Sequence, residues 1–280
     1  IALDMIINDE GRRLVENLRS VAWNGVASAF SALERQWPGL VSPYRDAVRV
    51  TIMGAGQVGK HAVEFATKFG DDGRNEAFMR MGLPGVEVVT TGRNLTRDAA
   101  YLRRRLAVTD ILVDATQRHD ASVPLVPNAW LALMPAHAVI CDLVGDPYLL
   151  DAEPRVVRGV EGIPQGTLDQ WEFAADDPAW DALPPEIPTA ERRTVVSCYS
   201  WPGVRPEPCM HVYGSQLAPL LETLIQAGGM DGLGPGGSFH ARALWRGSLR
   251  GWLDGESGFR HITGPRTDAP RRGPHPRRLG

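Results

Sequence analysis

The chain carries three cysteines, Cys141, Cys198 and Cys209, too few and too irregularly spaced for a disulfide framework or a Cys/His metal site. No metal is expected, and the thiols read as reduced, with Cys141 and Cys198 buried inside strand-like runs. Long apolar runs are also missing. No stretch approaches the length of a membrane span, and no basic segment followed by an apolar one stands at the N-terminus. A cytoplasmic protein without membrane association is the expectation. Positive charge is not in excess either: Lys and Arg number 30 against 33 Asp and Glu, a formal net charge of -3, which argues against a general nucleic-acid surface. There is no internal repeat.

What is present is glycine in an informative order. The β-branched run Val48-Arg49-Val50-Thr51-Ile52-Met53 leads directly into Gly54-Ala55-Gly56-Gln57-Val58-Gly59. Behind it, residues 60–69 read as a helix with Val58, Ala62, Val63 and Ala66 on one face. A strand, a G-x-G-x-x-G turn and a helix in that order suit a dinucleotide pyrophosphate. Gly54 allows the tight turn, Gly56 lets backbone approach the phosphates, and Gly59 lets helix and strand pack closely. The phosphates then face unpaired N–H groups at the positive end of the helix. With 30 glycines the pattern also arises by chance, and Gly232-Leu233-Gly234-Pro235-Gly236-Gly237 repeats it. No strand precedes that second match and Ser238-Phe239-His240 is a poor opening for a packed helix, so a flexible loop is expected there.

Around the first match, strand-like and helical segments alternate. A long amphipathic helix is predicted from the capping residues Asn8-Asp9-Glu10 to the stop at Trp37-Pro38-Gly39, connecting to or packing against something other than a dinucleotide domain. Strands are predicted at 86–90, 110–115, 138–143 and 194–198, with helices following Asn94, capped at Asn128, and spanning 216–227. The fold class is therefore α/β, a Rossmann-type doubly wound parallel sheet. The expected division is an interdomain helix and linker over 1–45, the dinucleotide-binding domain over 46–228, and a Gly/Pro/Arg-rich segment over 229–280. Its end, from Arg266 through Arg271, Arg272, Arg277 and Arg278, reads as a disordered, solvated tail.

The second strand ends in Thr90-Thr91-Gly92-Arg93-Asn94, where NAD enzymes usually carry an acid for the ribose hydroxyls. A guanidinium and two hydroxyls suit a 2′-phosphate instead, so NADP is favoured over NAD. The alternative is that Arg93 is a surface charge and backbone groups hold the ribose. The loop Ala115-Thr116-Gln117-Arg118-His119-Asp120 lies at a carboxyl end of the sheet, with Ala115 and Thr116 placed to meet the cofactor. His119 reads as an acid or base or, more simply, as a solvated histidine. Asp146 would point at the same crevice, whereas Asp142, inside a strand run, reads as structural.

The order of segments resembles the NAD(H)-binding domain of the alanine dehydrogenase and pyridine nucleotide transhydrogenase family. The resemblance rests on the helix ahead of the glycine turn, the turn itself, Val139-Ile140-Cys141-Asp142-Leu143-Val144-Gly145-Asp146, and Cys198-Tyr199-Ser200-Trp201-Pro202-Gly203-Val204 followed by a helix. It covers roughly residues 5–228. Ser200 stands where the family has Asn, and Pro147-Tyr148 where it has a diglycine. The resemblance implies hydride transfer between a small L-amino acid, or its 2-oxo acid, and a nicotinamide cofactor. It places Asp146 as the catalytic residue and Ser200 at the cofactor, alongside Gly54, Gly56, Gln57, Val58, Gly59, Thr90, Thr91, Arg93, Ala115 and Thr116. It further implies a homo-oligomer and a substrate-binding domain ahead of the long helix that is missing before Ile1. Other readings are an opine- or saccharopine-type dehydrogenase and a non-catalytic or transhydrogenase-like dinucleotide-binding module.

Overall fold

The computed structural model describes residues 1–254, which form two compact units, one of residues 17–212 and one of residues 1–16 with 213 onward. The basic tail from Arg266 lies outside the described residues. In the larger unit β1 (Val48–Met53), β2 (Val86–Thr91), β3 (Ile111–Asp114), β4 (Val139–Asp142), β5 (Glu172–Phe173) and β6 (Thr194–Ser197) form one six-stranded sheet in the order β2-β1-β3-β4-β6-β5. Every pairing is parallel except that of β5 with β6. Side chains alternate between its faces with the strand period of two. Val50, Ile52, Ile111, Val113, Val139, Cys141 and Val196 enter one core cluster, and Met53, Leu112, Ile140 and Val195 enter the other.

Burial on both faces requires helices on both. The first face is covered by α1 (Leu18–Gln36) and α2 (Gln57–Ala66), with Phe78 of α3 (Asp72–Arg80) at its edge. On the second lie Leu102 and Leu106 of α5 (Ala99–Leu106), which follows the short α4 (Arg93–Thr96), and the 3-10 turn Asn128–Leu133. From β1 the chain crosses to β2 on one side, then returns to β3 on the other side of β1. The carboxyl ends of β1 and β3 therefore flank the point where the winding reverses, the place where open α/β sheets leave a crevice.

The long N-terminal helix departs from expectation in two ways. It begins at Leu18, with Asn17 Oδ1 accepting from the Ser20 N–H at 3.1 Å. Asn8 instead closes a turn, accepting from the N–H groups of Glu10 and Arg12 at 3.1 and 2.8 Å, while Gly11 (φ 76°) folds Ile7 back against Arg13. Leu14 and Val15 matched the helical spacing by coincidence; they pack in the other unit. Nor does the apolar stripe of α1 await another domain, because Ala22, Val26, Ala29, Phe30 and Leu33 are buried in the core of this sheet. Small residues allow the approach: a Cβ on Gly25 would lie 2.2 Å from Leu143 Cδ2.

Other segments depart less. Asn128 does not cap a helix but clasps the backbone of Glu191, donating to its carbonyl at 2.9 Å and accepting from its N–H at 3.0 Å. After α6 (Trp201–Val204), α7 (Pro206–Gln226) begins well before Gln216. Ser238 does open a packed helix, capping α8 (Phe239–Arg246) through the Ala241 N–H and burying Ala243, Leu244 and Trp245, although no strand precedes that second glycine run. In this smaller unit Ile6, Val15, Leu220, Leu233, Leu244 and Trp245 form the core, α9 (Leu249–Leu253) follows α8, and Asp9 receives charged hydrogen bonds from Arg242 and Arg246. Those two guanidiniums hold the Asp9 carboxyl well below the usual carboxylate range.

Since Phe30 is 0% exposed, Phe30→Ala is expected to destabilise the chain by about 3–5 kcal/mol, the cost of truncating a buried aromatic in a core that cannot collapse onto the gap. Urea unfolding of the two forms measures this; a loss under about 1 kcal/mol would mean that α1 does not rest on the sheet.

Candidate functional site

Each glycine of the turn after β1 has its own reason. Gly54 has φ +106°, and a Cβ there would lie 2.3 Å from the Ala115 carbonyl oxygen, so both its conformation and its neighbour across the switch point demand glycine. Gly59 lies in the first turn of α2, where a Cβ would meet the Gly54 oxygen at 2.0 Å. Gly56 is different: it caps α2 with ordinary dihedrals (φ -72°), and a Cβ there would meet nothing within 4 Å. That open space is a cradle of the kind a pyrophosphate fills. The first backbone bond of the helix runs from the Lys60 N–H to the Gly56 carbonyl, which leaves the N–H groups of Gln57, Val58 and Gly59 without intrahelical acceptors.

In front of the turn opens a cavity of about 700 Å³. It is lined by Gly54, Ala55 and Gly56, by residues between Thr91 and Ala99, and by residues between Ala115 and Trp130, the last of these lying beside α5. Of the candidate residues, Gly54, Gly56, Thr91, Arg93, Ala115 and Thr116 line it, while Gln57, Val58, Gly59, Thr90, Asp146 and Ser200 do not. Thr91 contributes bulk rather than a free hydroxyl, since its Oγ1 donates to the Ile52 carbonyl at 3.2 Å. His119 lines the cavity with its side chain exposed.

Behind the cavity two carboxylates stand side by side, because β3 and β4 pair with Asp114 opposite Asp142. Asp142 is structural. Its Oδ2 accepts from Arg158 Nη2 at 2.6 Å and Ser197 Oγ at 2.8 Å, and its Oδ1 from the N–H groups of Val144 and Gly145. Asp114 makes no ion pair among the described residues. Its Oδ1 accepts from the Thr116 N–H at 3.0 Å and Thr116 Oγ1 at 2.7 Å, and a Cβ on Gly159 would press within 2.2 Å of its Oδ2. Burial, reinforced by the Asp142 charge, pushes the Asp114 carboxyl up to about 6 against the pull of Thr116 and Arg118.

Asp146 is tied down by a buried arginine. Arg118 Nη2 meets its Oδ2 at 2.7 Å and also reaches the Val157 carbonyl, while Nη1 donates to Val123 at 3.0 Å. Asp114, Arg118 and Arg158 were not singled out by the sequence. One signal was available: an ionisable residue inside an apolar strand run, such as Asp114, must be neutralised or paired when buried.

No protein-family model and no curated protein matches this chain. Among solved structures it is similar to an L-alanine dehydrogenase at 18% identity and TM-score 0.54, covering 81% of this chain and 59% of that one. It also aligns with a phosphoglycerate oxidoreductase from Vibrio cholerae O395 (16% identity, 74% and 67% coverage, TM-score 0.37). A third is a putative D-3-phosphoglycerate dehydrogenase from Ralstonia solanacearum (17%, 81% and 69%, TM-score 0.37). The chain thus spans about three fifths of the length of the alanine dehydrogenase. What the likeness establishes is the fold: a mixed α/β, mostly parallel six-stranded sheet of the Rossmann type.

Because the folded chain holds the Asp114 proton more tightly than the unfolded chain does, stability from this group is full below pH 3.8 and is lost as pH rises through about 6. Asp114→Asn removes the titration. Relative to wild type the variant should gain stability as pH climbs from 4 to 7, by on the order of 3 kcal/mol. Urea melts across that range test this, and a wild-type-to-variant difference independent of pH would show that Asp114 ionises normally.

Proposed function

We propose that this chain holds the cofactor of a nicotinamide-dinucleotide oxidoreductase of the alanine dehydrogenase type, acting on a small L-amino acid or its 2-oxo acid. The observation that carries the reading is the glycine turn: it stands at the winding reversal, opens on a cavity, and keeps free space at Gly56 alone of its three glycines. The likeness in fold to an L-alanine dehydrogenase supports the choice of substrate class. When bound, the nicotinamide ring supplies the site that accepts or gives hydride.

The roles of the protein groups follow from position. Gly54 and Gly56, with the free N–H groups of Gln57, Val58 and Gly59, hold the pyrophosphate at the positive end of α2. Ala115 and Thr116 wall the crevice from the β3 side. At the end of β2, Thr91 walls the adenosine end and Thr90 lies outside the cavity lining, so Arg93 is the candidate for the ribose, where it and the lack of an acid favour NADP over NAD. Ser200, at the N-cap of α6, and Asp146 lie outside the cavity lining and are the candidates that the family resemblance assigns to the nicotinamide end. Asp146 Oδ2 belongs to Arg118; its Oδ1 has no hydrogen-bond partner among the described residues and is the atom that would orient a substrate nitrogen or water.

Gly56→Val tests the reading directly. The added side chain enters open space, so thermal unfolding should be nearly unchanged, while NADH and NADPH binding by calorimetry should weaken by at least about a hundredfold, roughly 2.7 kcal/mol. Equal affinities in wild type and variant would remove the turn from the cofactor site.

A further inference from the structure

Arg93 and Arg97 stand four residues apart at the two ends of α4, and both line the cavity. Neither guanidinium makes a hydrogen bond or ion pair among the described residues, whereas both terminal nitrogens of Arg118, which also lines the cavity, are engaged with Asp146 and backbone carbonyls. Of the lining residues from Thr91 to Ala99 none is acidic, and the adjacent Asp98 is occupied in capping α5 through the Tyr101 N–H at 2.9 Å. The acidic lining residue, Asp120, belongs to the loop after β3 and accepts from the N–H and hydroxyl of Ser122. Like charges at this helical spacing repel. A monoanion would offset only one of them, but a phosphate monoester, carrying close to two negative charges at neutral pH, offsets both.

The basic end adjoins an apolar wall. Ala99, two residues beyond Arg97, opens α5, and the cavity continues over Leu125, Pro127 and Trp130. Trp130 packs against the second core cluster, and the Arg103 guanidinium lies 6.0 Å from its ring centre. A flat ring face beside aliphatic carbons suits an aromatic base. We propose that this end of the cavity is a 2′-phosphoadenosine subsite, with Arg97 acting beside Arg93 on the phosphate monoester and Trp130 walling the purine. The proposal rests on the dinucleotide reading and deepens it, adding two residues, Arg97 and Trp130, and making the phosphoadenosine end the part of the ligand that this chain recognises.

Calorimetric titration of the whole chain with 2′,5′-ADP, 5′-ADP and inorganic phosphate tests it. The expected result is that 2′,5′-ADP binds at least about tenfold more tightly than 5′-ADP, and inorganic phosphate far more weakly than either. Arg97→Ala, an exposed substitution whose folding is checked by circular dichroism, should erase most of that difference and leave 5′-ADP affinity within about twofold. Trp130→Leu should weaken both nucleotides alike. Equal binding of 2′,5′-ADP and 5′-ADP by wild type overturns the subsite while leaving a dinucleotide site in place. So does an Arg97→Ala loss that is the same for both ligands. Inorganic phosphate binding as well as 2′,5′-ADP makes this a bare anion site and overturns the proposal. If no adenine nucleotide or NADPH binds at all, the dinucleotide reading falls with it.

Discussion

The contact between Gly54 and the Ala115 carbonyl, where a single added methyl group would close to 2.3 Å, holds together the two strands on which the crevice depends. β1 and β3 are neighbours in the sheet but their crossovers depart on opposite sides. Their carboxyl ends would gape if the loops leaving them stood apart. With no side chain at Gly54, the loop after β3 can lie directly against the glycine turn. Gly59 repeats the economy one turn later by letting α2 rest on the Gly54 carbonyl. What remains open is the space in front of Gly56, so the geometry that packs the turn also leaves room for a ligand at one point of it.

Below that turn the carboxyl edge of the sheet is rich in buried charge. Two arginines, at 118 and 158, reach across it to tie together segments that are far apart in sequence. Such pairs are weak sources of net stability, because desolvation offsets most of their attraction, yet breaking one leaves a stranded charge and is costly. Their effect is to fix loop positions. Asp114 makes no ion pair with an arginine among the described residues, and its neighbour Asp142 repels its charge. Burial, with that repulsion added, makes it hold a proton to higher pH, and through Thr116 its state bears on a wall of the cavity.

Much of this was legible in the sequence where the signal is local. The glycine turn follows from residue types at fixed spacing. The strands at 48, 86, 111, 139 and 194 follow from apolar runs bounded by turn residues, each misjudged by no more than a residue or so. The segments misread needed information from elsewhere in the chain. Leu14 and Val15 fit the period of α1, and nothing nearby reveals that Gly11 turns the chain and sends them to another core. Whether the stripe on α1 meets this sheet or a separate domain is a tertiary question that periodicity cannot answer. Arg118 and Asp146 are partners across two loops, a pairing that no local pattern encodes.

The distribution of charge around the cavity also bears on how a ligand would lie in it. At the β2 end two guanidiniums line the cavity with no partner among the described residues, while beneath the β3 and β4 ends the arginines are already spent on Asp146 and Asp142. An extended anion therefore finds its uncompensated attraction at one end only. Along the middle it meets backbone N–H groups, which favour phosphate oxygens of either orientation. Orientation must then come from the ends, and the cationic end selects the more highly charged half of the ligand. On the proposed reading the less charged half would lie toward the carboxyl edges of β3, β4 and β6. Under the proposed function Asp146, one third exposed and held by a buried arginine, is the group that would act there.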